Sequence, residues 1–499
     1  MRSQDHRTGI VAALLVFAAS VGTAGGQGSV NVPPAVPSPS AVSLPQPLLE
    51  TLPNGLRVLL IERRSDPLVT LHAMVMAGSS EDPPGRAGTA QFVAGLLTQG
   101  TARQSALQLA QTIDAAGGSM QAGAGWDETM ASVSVLADRQ ALAFRLLSDM
   151  LIHPAFAPSE MQRYRRQTIS ALRVLKEDPH YVAHTLVREA LLAGTPYAHP
   201  PEGTEATLDA ITREDLERFH AKYFRPANTA LAVLGDVTPE ECKALAEKYF
   251  GGWVGREMTA VKMPSNRQAK PRHEVILINQ PGAAETEIRV GFPGIPRSSP
   301  QYPILKVANE ALGGPAGNRL FFELRTRRGL AYSASSRLRC YRWLGAWIAK
   351  TSTRSSEAAR AVTEMMAQIQ RLRSRPVSRP ELHMAQNYLV GHLALQFEPL
   401  NGIAAHSLEL ILYNMPLDYW STYASQIRSV RQREVRRAAA RLLRPKDDVI
   451  VLVGNVAGDV QAMRRFGPVR MISLRRLDLG ARDFESGRET RAAGRRHRR

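Results

Sequence analysis

Residues 211–237 read ITREDLERFHAKYFRPANTALAVLGDV, and residues 430–456 read VRQREVRRAAARLLRPKDDVIVLVGNV. In each, an amphipathic helix stops at Arg-Pro, and a strand follows that ends in Gly-Asp-Val or Gly-Asn-Val. The two Arg-Pro pairs start at 225 and 444, 219 residues apart, and the glycines at 235 and 454 keep that interval. An earlier echo pairs PAFAPSEMQRYRRQTISAL at 154–172 with PVSRPELHMAQNYLVGHL at 376–393, setting Glu160 and Glu381 221 apart near the start of a long helix. Two echoes at nearly one offset predict a duplicated chain with units of about 210–220 residues. At 499 residues the chain is too long for a single core, and the repeat says where it divides.

Each unit opens with strands. LRVLLIERR and LVTLHAMVMAG begin the first, a helix follows at 88–98, and MASVSVLAD returns as a strand before a helix from Arg139. HEVILINQP and EIRVGFPG begin the second, with a helix around YPILKVANEAL; AYSASSRLRC and AWIAKTST are then strands before a helix from Glu357. Strands near both ends with helices between them, twice over, predict an α+β fold. It comprises two duplicated domains, each a mainly antiparallel sheet covered by helices, forming a clamp around a cleft.

The ends of the chain bear on compartment and partners. A short arginine-bearing opening, the apolar run IVAALLVFAASVG and the small residues GTAGG have the layout of a secretory signal peptide over residues 1–24. Residues 25–47 follow as a Pro/Ser-rich linker. The expected location is outside the cytoplasm, periplasmic or otherwise secreted, with membrane anchoring if the leader stays uncleaved. The net charge of +18 raises nucleic-acid binding, but nine arginines against four acidic residues fall in the last 29 positions, and the rest is spread over helix faces. The expectation is no nucleic-acid partner, with peripheral contact to anionic envelope surfaces. The two cysteines, Cys242 and Cys340, cannot build a thiolate zinc cluster; they are buried thiols or one disulfide.

Four stretches, taken in order, carry a resemblance: TLPNGLRVLLIERR, AGSSEDPPGRAGTAQF, PYAHPPEGTEATLDAITREDLERFHAKYFRPANTALAVLGDV and LGGPAGNRLFFELRTRRGLAYSASS. Over about residues 48–465 the chain resembles the pitrilysin/insulinase zinc peptidases, the inverzincins. Catalytic members carry His-x-x-Glu-His on the helix at 88–98, where two histidines one turn apart hold zinc and the glutamate activates its water. This chain has Gln91, Phe92, Val93, Ala94 and Gly95 there, and the family's further glutamate ligand falls near Ala171. With Gln91, Ala94, Gly95 and Ala171 at the four positions, the resemblance implies a zinc-free first domain, and no metal is expected in this chain. His180 and His184 share an i, i+4 spacing, with Glu189 five residues further on, but no convincing third ligand accompanies them.

The second domain retains what the first has lost. FFELRTRRGLAYSASS matches the segment where the family places an arginine and a tyrosine seven residues apart, here Arg325 and Tyr332. In the family this pair reaches across the cleft, grips the peptide backbone and stabilises the oxyanion. The resemblance thus implies the zinc-free subunit of an exported heterodimeric metalloendopeptidase. Its homologous partner would bring zinc, and the substrate would be a peptide or unfolded protein. The alternative is a non-enzymatic peptide-binding or scaffold protein of the cell envelope. The expected domains are an N-terminal one at 48–254, a linker at 255–272, a C-terminal one at 273–468 and a basic, disordered tail at 469–499.

Overall fold

A computed structural model describes residues 47–255, 273–315, 318–480 and 484. The leader at 1–24, all but the last residue of the 25–47 linker, the joint after residue 255 and most of the basic tail lie outside the described residues. Two six-stranded sheets organise the rest. The first is built from β1 (Leu48–Thr51), β2 (Arg57–Glu62), β3 (Leu68–Val75), β4 (Ser119–Ala124), β5 (Thr129–Leu136) and β6 (Thr229–Gly235). The second is built from β7 (Glu274–Asn279), β8 (Glu285–Pro293), β9 (Ala331–Cys340), β10 (Gly345–Arg354), β11 (Val449–Gly454) and β12 (Val469–Ser473).

The strand orders are the same: β1-β2-β6-β3-β5-β4 in one sheet and β12-β7-β11-β8-β10-β9 in the other. Helix Arg213–Tyr223 recurs as Gln432–Leu442, starting 219 residues later, and the long helix Pro158–Glu177 recurs as Arg379–Phe397, starting 221 later. The sixth strand alone is supplied differently. β1 comes from the front of the chain and runs antiparallel to β2, whereas β12 comes from the back and runs parallel to β7. The sequence reading placed residues 469–473 in the disordered tail. Instead VRMIS pairs along β7 and buries Ile472, an apolar contribution too short to stand out among arginines. β4 (SMQAGA) also escaped the reading, because its small residues lack the β-branched pattern of strands.

The central strands are apolar on both faces. Val58 and Leu60 face one core with Leu71, Val133 and Val233, while Leu59 and Ile61 face another with Met74, Ala232 and Leu234. That second core belongs mostly to the C-terminal half. It includes Ile403, Ala404 and Leu408 of helix Leu400–Leu412, which crosses over to cover the first sheet. The exchange is reciprocal. Helix Pro179–Leu191, from the N-terminal half, lays Val182, Leu186 and Val187 on Ile276, Ile348, Val449 and Val451 of the second sheet. Each crossing helix follows its half's long helix, so the duplication includes the exchange.

Two details hold the halves together. Gly291 in β8 leaves the space the crossing helix needs, since a Cβ there would lie 2.5 Å from Leu191 Cδ1 and 2.7 Å from Val187 Cγ2. Asp127, buried at the junction, accepts from Tyr197 Oη at 2.7 Å within its own half. From the other half it accepts Arg342 N at 2.8 Å and Tyr413 Oη at 3.3 Å. The Arg342 guanidinium in turn donates to the carbonyls of Asp127 and Met76. Cys242 and Cys340 are free thiols, and burial pushes both up to about 12.

Gly291→Val is expected to destabilise the chain by about 1–3 kcal/mol through overpacking at the exchanged helix. Chemical denaturation should show both halves unfolding in one shifted transition. Two separate transitions, or wild-type stability, would mean that the helix exchange does not couple them.

Candidate functional site

The helix carrying the four-position motif spans Thr89–Leu97. Its start is fixed by Gly88, at φ 95°, and by the Asp82 carboxylate, whose two oxygens accept from Gly88 N and Ala90 N at 2.8 Å each. Burial pushes Asp82 up to about 8, against the two N–H donors that favour its charged form. The first turn of the helix is therefore pinned by a buried acceptor.

Its side chains are committed elsewhere. The Gln91 amide closes on the end of β4, donating to Ala124 O at 2.5 Å and accepting from Ala124 N at 3.3 Å. Ala94 is fully buried and offers only a methyl group. At Gly95 the space of a side chain is already filled: a Cβ there would lie 2.2 Å from Tyr164 Cζ and 2.3 Å from its hydroxyl. Tyr164, on the long helix Pro158–Glu177, stacks on Phe92 with ring centroids 5.1 Å apart and donates to Gln91 O at 3.3 Å. Ala171 lies two turns further along that helix, seven residues on, and is exposed. These residues do not fit a zinc ion, because no imidazole or carboxylate is present and a phenol ring occupies the approach to position 95. Among the described residues no group of three or more His, Cys, Asp or Glu is arranged to hold a metal.

The histidine pair sits in surroundings hostile to a cation. His180 Nδ1 bonds the Arg289 guanidinium at 2.7 Å. Burial and the neighbouring Arg188, Arg289 and Arg339 push His184 down to about 3.

Arg325 and Tyr332 do come together. Arg325 lies in the π-helical turn Phe322–Arg327, and Gly329, at φ 60°, turns the chain toward β9, on which Tyr332 stands. The Arg325 guanidinium carbon is 4.5 Å from the centroid of the Tyr332 ring and 5.0 Å from that of Phe321. Glu323, two residues earlier, is taken by Arg327 and Arg328. Among the described residues neither the Arg325 N–H groups nor the Tyr332 hydroxyl has a hydrogen-bonding partner, and Tyr332 is 81% exposed. A stacked cation and phenol, both facing solvent, one on the π-helical turn and the other on an outermost strand, can donate together to an anionic oxygen presented from outside the chain.

Residues 57–205 match the family model described as "Insulinase (Peptidase family M16)", and residues 210–389 match "Peptidase M16 inactive domain". The chain belongs to the M16 family. An uncharacterized zinc protease of Mycobacterium leprae is 28% identical over 358 residues, 70% of this chain and 79% of that protein. The non-peptidase homolog YmxG of Helicobacter pylori is 22% identical over 370 residues, 74% of this chain and 85% of the relative. Among solved structures, a peptidase M16 inactive domain from Pseudomonas fluorescens aligns with a TM-score of 0.76 at 25% identity, over 82% of this chain and 98% of that one. A protease from Helicobacter pylori aligns with a TM-score of 0.75 at 18% identity, over 83% and 100%, and so shares the fold.

Sequence reasoning identified the emptied M16 motif but missed Tyr164, which nothing in the spacing marks beyond its place seven residues before Ala171. Gly95→His is expected to cost about 1–3 kcal/mol because Tyr164 occupies the space. Combining it with Tyr164→Ala should cost less than the sum of the two single variants. Strict additivity in denaturant titrations would show that the tyrosine ring is not what blocks position 95.

Proposed function

We propose that this M16 chain is the zinc-free subunit of an exported, heterodimeric metalloendopeptidase. A homologous zinc-binding subunit would complete the active site, and peptides or unfolded protein segments would be the substrate. The observation that carries the reading is the asymmetry between the halves. The first has lost all four ligand and base positions and filled one of them with Tyr164, whereas the second presents Arg325 and Tyr332 stacked, exposed and, among the described residues, without a side-chain hydrogen-bonding partner. A purely structural pair would be expected to pack or to bond within the chain. On this reading the pair donates to the substrate carbonyl as it takes on negative charge, at a site whose metal belongs to the partner. The leader at 1–24 supports export to the periplasm or beyond.

A second reading, a non-enzymatic peptide-binding or scaffold protein of the envelope, draws on the Helicobacter pylori relative named a non-peptidase homolog. The two diverge on whether the pair matters to turnover. With a zinc-bearing partner subunit, Arg325→Ala and Tyr332→Phe should each lower kcat by about 10²–10³-fold while co-elution of the subunits is unchanged. Full turnover by both variants would remove the pair from the reaction and favour the scaffold.

A further inference from the structure

A cavity of about 790 Å³ is bordered on one side by the crossing helix Pro179–Leu191 and the outer strands of the second sheet, and on the other by helices Tyr302–Gly313, Arg379–Phe397, Leu400–Leu412 and Tyr419–Ser429. Its composition is lopsided. Across the antiparallel β9–β10 pair, Arg339 stands opposite Ala346, Arg337 opposite Ile348 and Ser335 opposite Lys350. Residues directly opposite share a face, so Arg337, Arg339 and Lys350 lie on the face that the crossing helix covers. From that helix His180, His184 and Arg188, each one turn from the next, line the same cavity.

Four of these cations make no close ion pair. Among the described residues the side chains of Arg188, Arg337, Arg339 and Lys350 make neither a salt bridge nor a hydrogen bond, and only longer-range attraction links Arg188 to Glu189, Arg337 to Glu310 and Lys350 to Glu287. Arg188 is the informative one. It is only 8% exposed, its Nε has no hydrogen-bonding partner among the described residues, and its guanidinium lies over the face of Trp126 at 4.9 Å. Glu189, next in the chain, does not line the cavity; its carboxylate takes Gly480 N. Arg289, beneath the cavity, is already neutralised by Glu287 at 2.6 Å. The cavity's two carboxylates have cations of their own, Glu409 with Arg297 at 2.6 Å and Glu310 with Lys306 at 3.8 Å. A buried guanidinium without a hydrogen-bonded anion is costly to keep, and four cations lining one cavity without close ion pairs repel one another. Negative charge supplied from outside would relieve both penalties.

The position of the cavity says what form that charge takes. β9 is the outermost strand of its sheet, and it also carries Tyr332. A peptide added along such an edge sets alternate side chains on one face, two residues apart, which is the spacing of Arg337 and Arg339. We propose that the cavity is a subsite for acidic side chains. Aspartate or glutamate residues at alternating positions of an extended peptide, paired along β9, would be held by Arg337 and Arg339, with Arg188 and Lys350 alongside. The subsite rests on the reading of this chain as the peptide-binding partner of a peptidase, and it names the substrate class of that reading. The arginines stand five and seven residues along β9 from Tyr332, so the acidic residues would bind about 17–23 Å from the Arg325–Tyr332 pair.

The test uses the chain alone and a fluorescently labelled extended peptide with glutamates at alternate positions, beside the same peptide with glutamines. Anisotropy titrations should show the glutamate peptide binding about tenfold tighter or more. The preference should shrink as salt is raised and vanish in the Arg337→Gln/Arg339→Gln variant. Both substitutions are at exposed positions and remove like charges, so the folded state can be checked by an unfolding midpoint that does not fall. Equal binding of the two peptides, or an undiminished preference in the variant, would overturn the subsite. So would inorganic phosphate binding there with no discrimination between the peptides, which would mark a small-anion site instead. No partner or turnover enters the measurement. Failure of the zinc-free-subunit reading would appear in the Arg325 and Tyr332 variants, and failure of the subsite would appear only here.

Discussion

The reciprocal exchange of two helices is the constraint on which everything else depends. Each six-stranded sheet has central strands that are apolar on both faces, and each half covers only one face of its own sheet. The other face is covered by the helix that the opposite half sends across, Pro179–Leu191 in one direction and Leu400–Leu412 in the other. Neither half can bury its sheet alone, so the duplicated chain is one cooperative body rather than two beads. Gly291 provides the clearance, and the Asp127–Arg342 clasp adds buried polar bonds at the junction that would be costly to break singly. The same exchange fixes the site. The crossing helix roofs the basic cavity, and β9, which borders it, carries Tyr332.

The two halves use their corresponding segments differently. Asp82 anchors the start of the motif helix through Gly88 N and Ala90 N, and the helix presents an amide, a methyl group and a glycine. Tyr164 has moved into the room that the glycine leaves, and its ring now rests on Phe92. The first half has thereby turned a reactive surface into packing. The second half has kept Arg325 and Tyr332 facing outward, where water and an incoming chain can reach them.

Much of this was legible in the residues. The 219-residue offset of the Arg-Pro and Gly-Asp/Asn-Val pairs gave the duplication, and the strand runs around Leu59, Val133 and Val451 gave the sheets, because continuous apolar runs mark strands buried on both faces. The emptied positions 91, 94, 95 and 171 were equally plain, since an absent imidazole is visible without coordinates. Three things were not. β12 rests on a single buried isoleucine in an arginine-rich tail, so the end of the second domain fell short of it. The helix exchange is invisible because a helix that covers its own sheet and one that covers its neighbour's have the same apolar stripe. The basic cavity gathers Arg337 and Lys350 from a strand pair and Arg188 from a helix about 150 residues earlier, and only the strand register and the helix exchange bring them to one face.

The most direct measurement is peptide hydrolysis by the purified chain, with zinc supplied, in the absence and in the presence of a zinc-bearing M16 partner. The account predicts no hydrolysis and no stoichiometric zinc for the chain alone, and turnover only when the partner is added. One zinc bound per chain, together with cleavage by a homogeneous preparation of this chain, would contradict it.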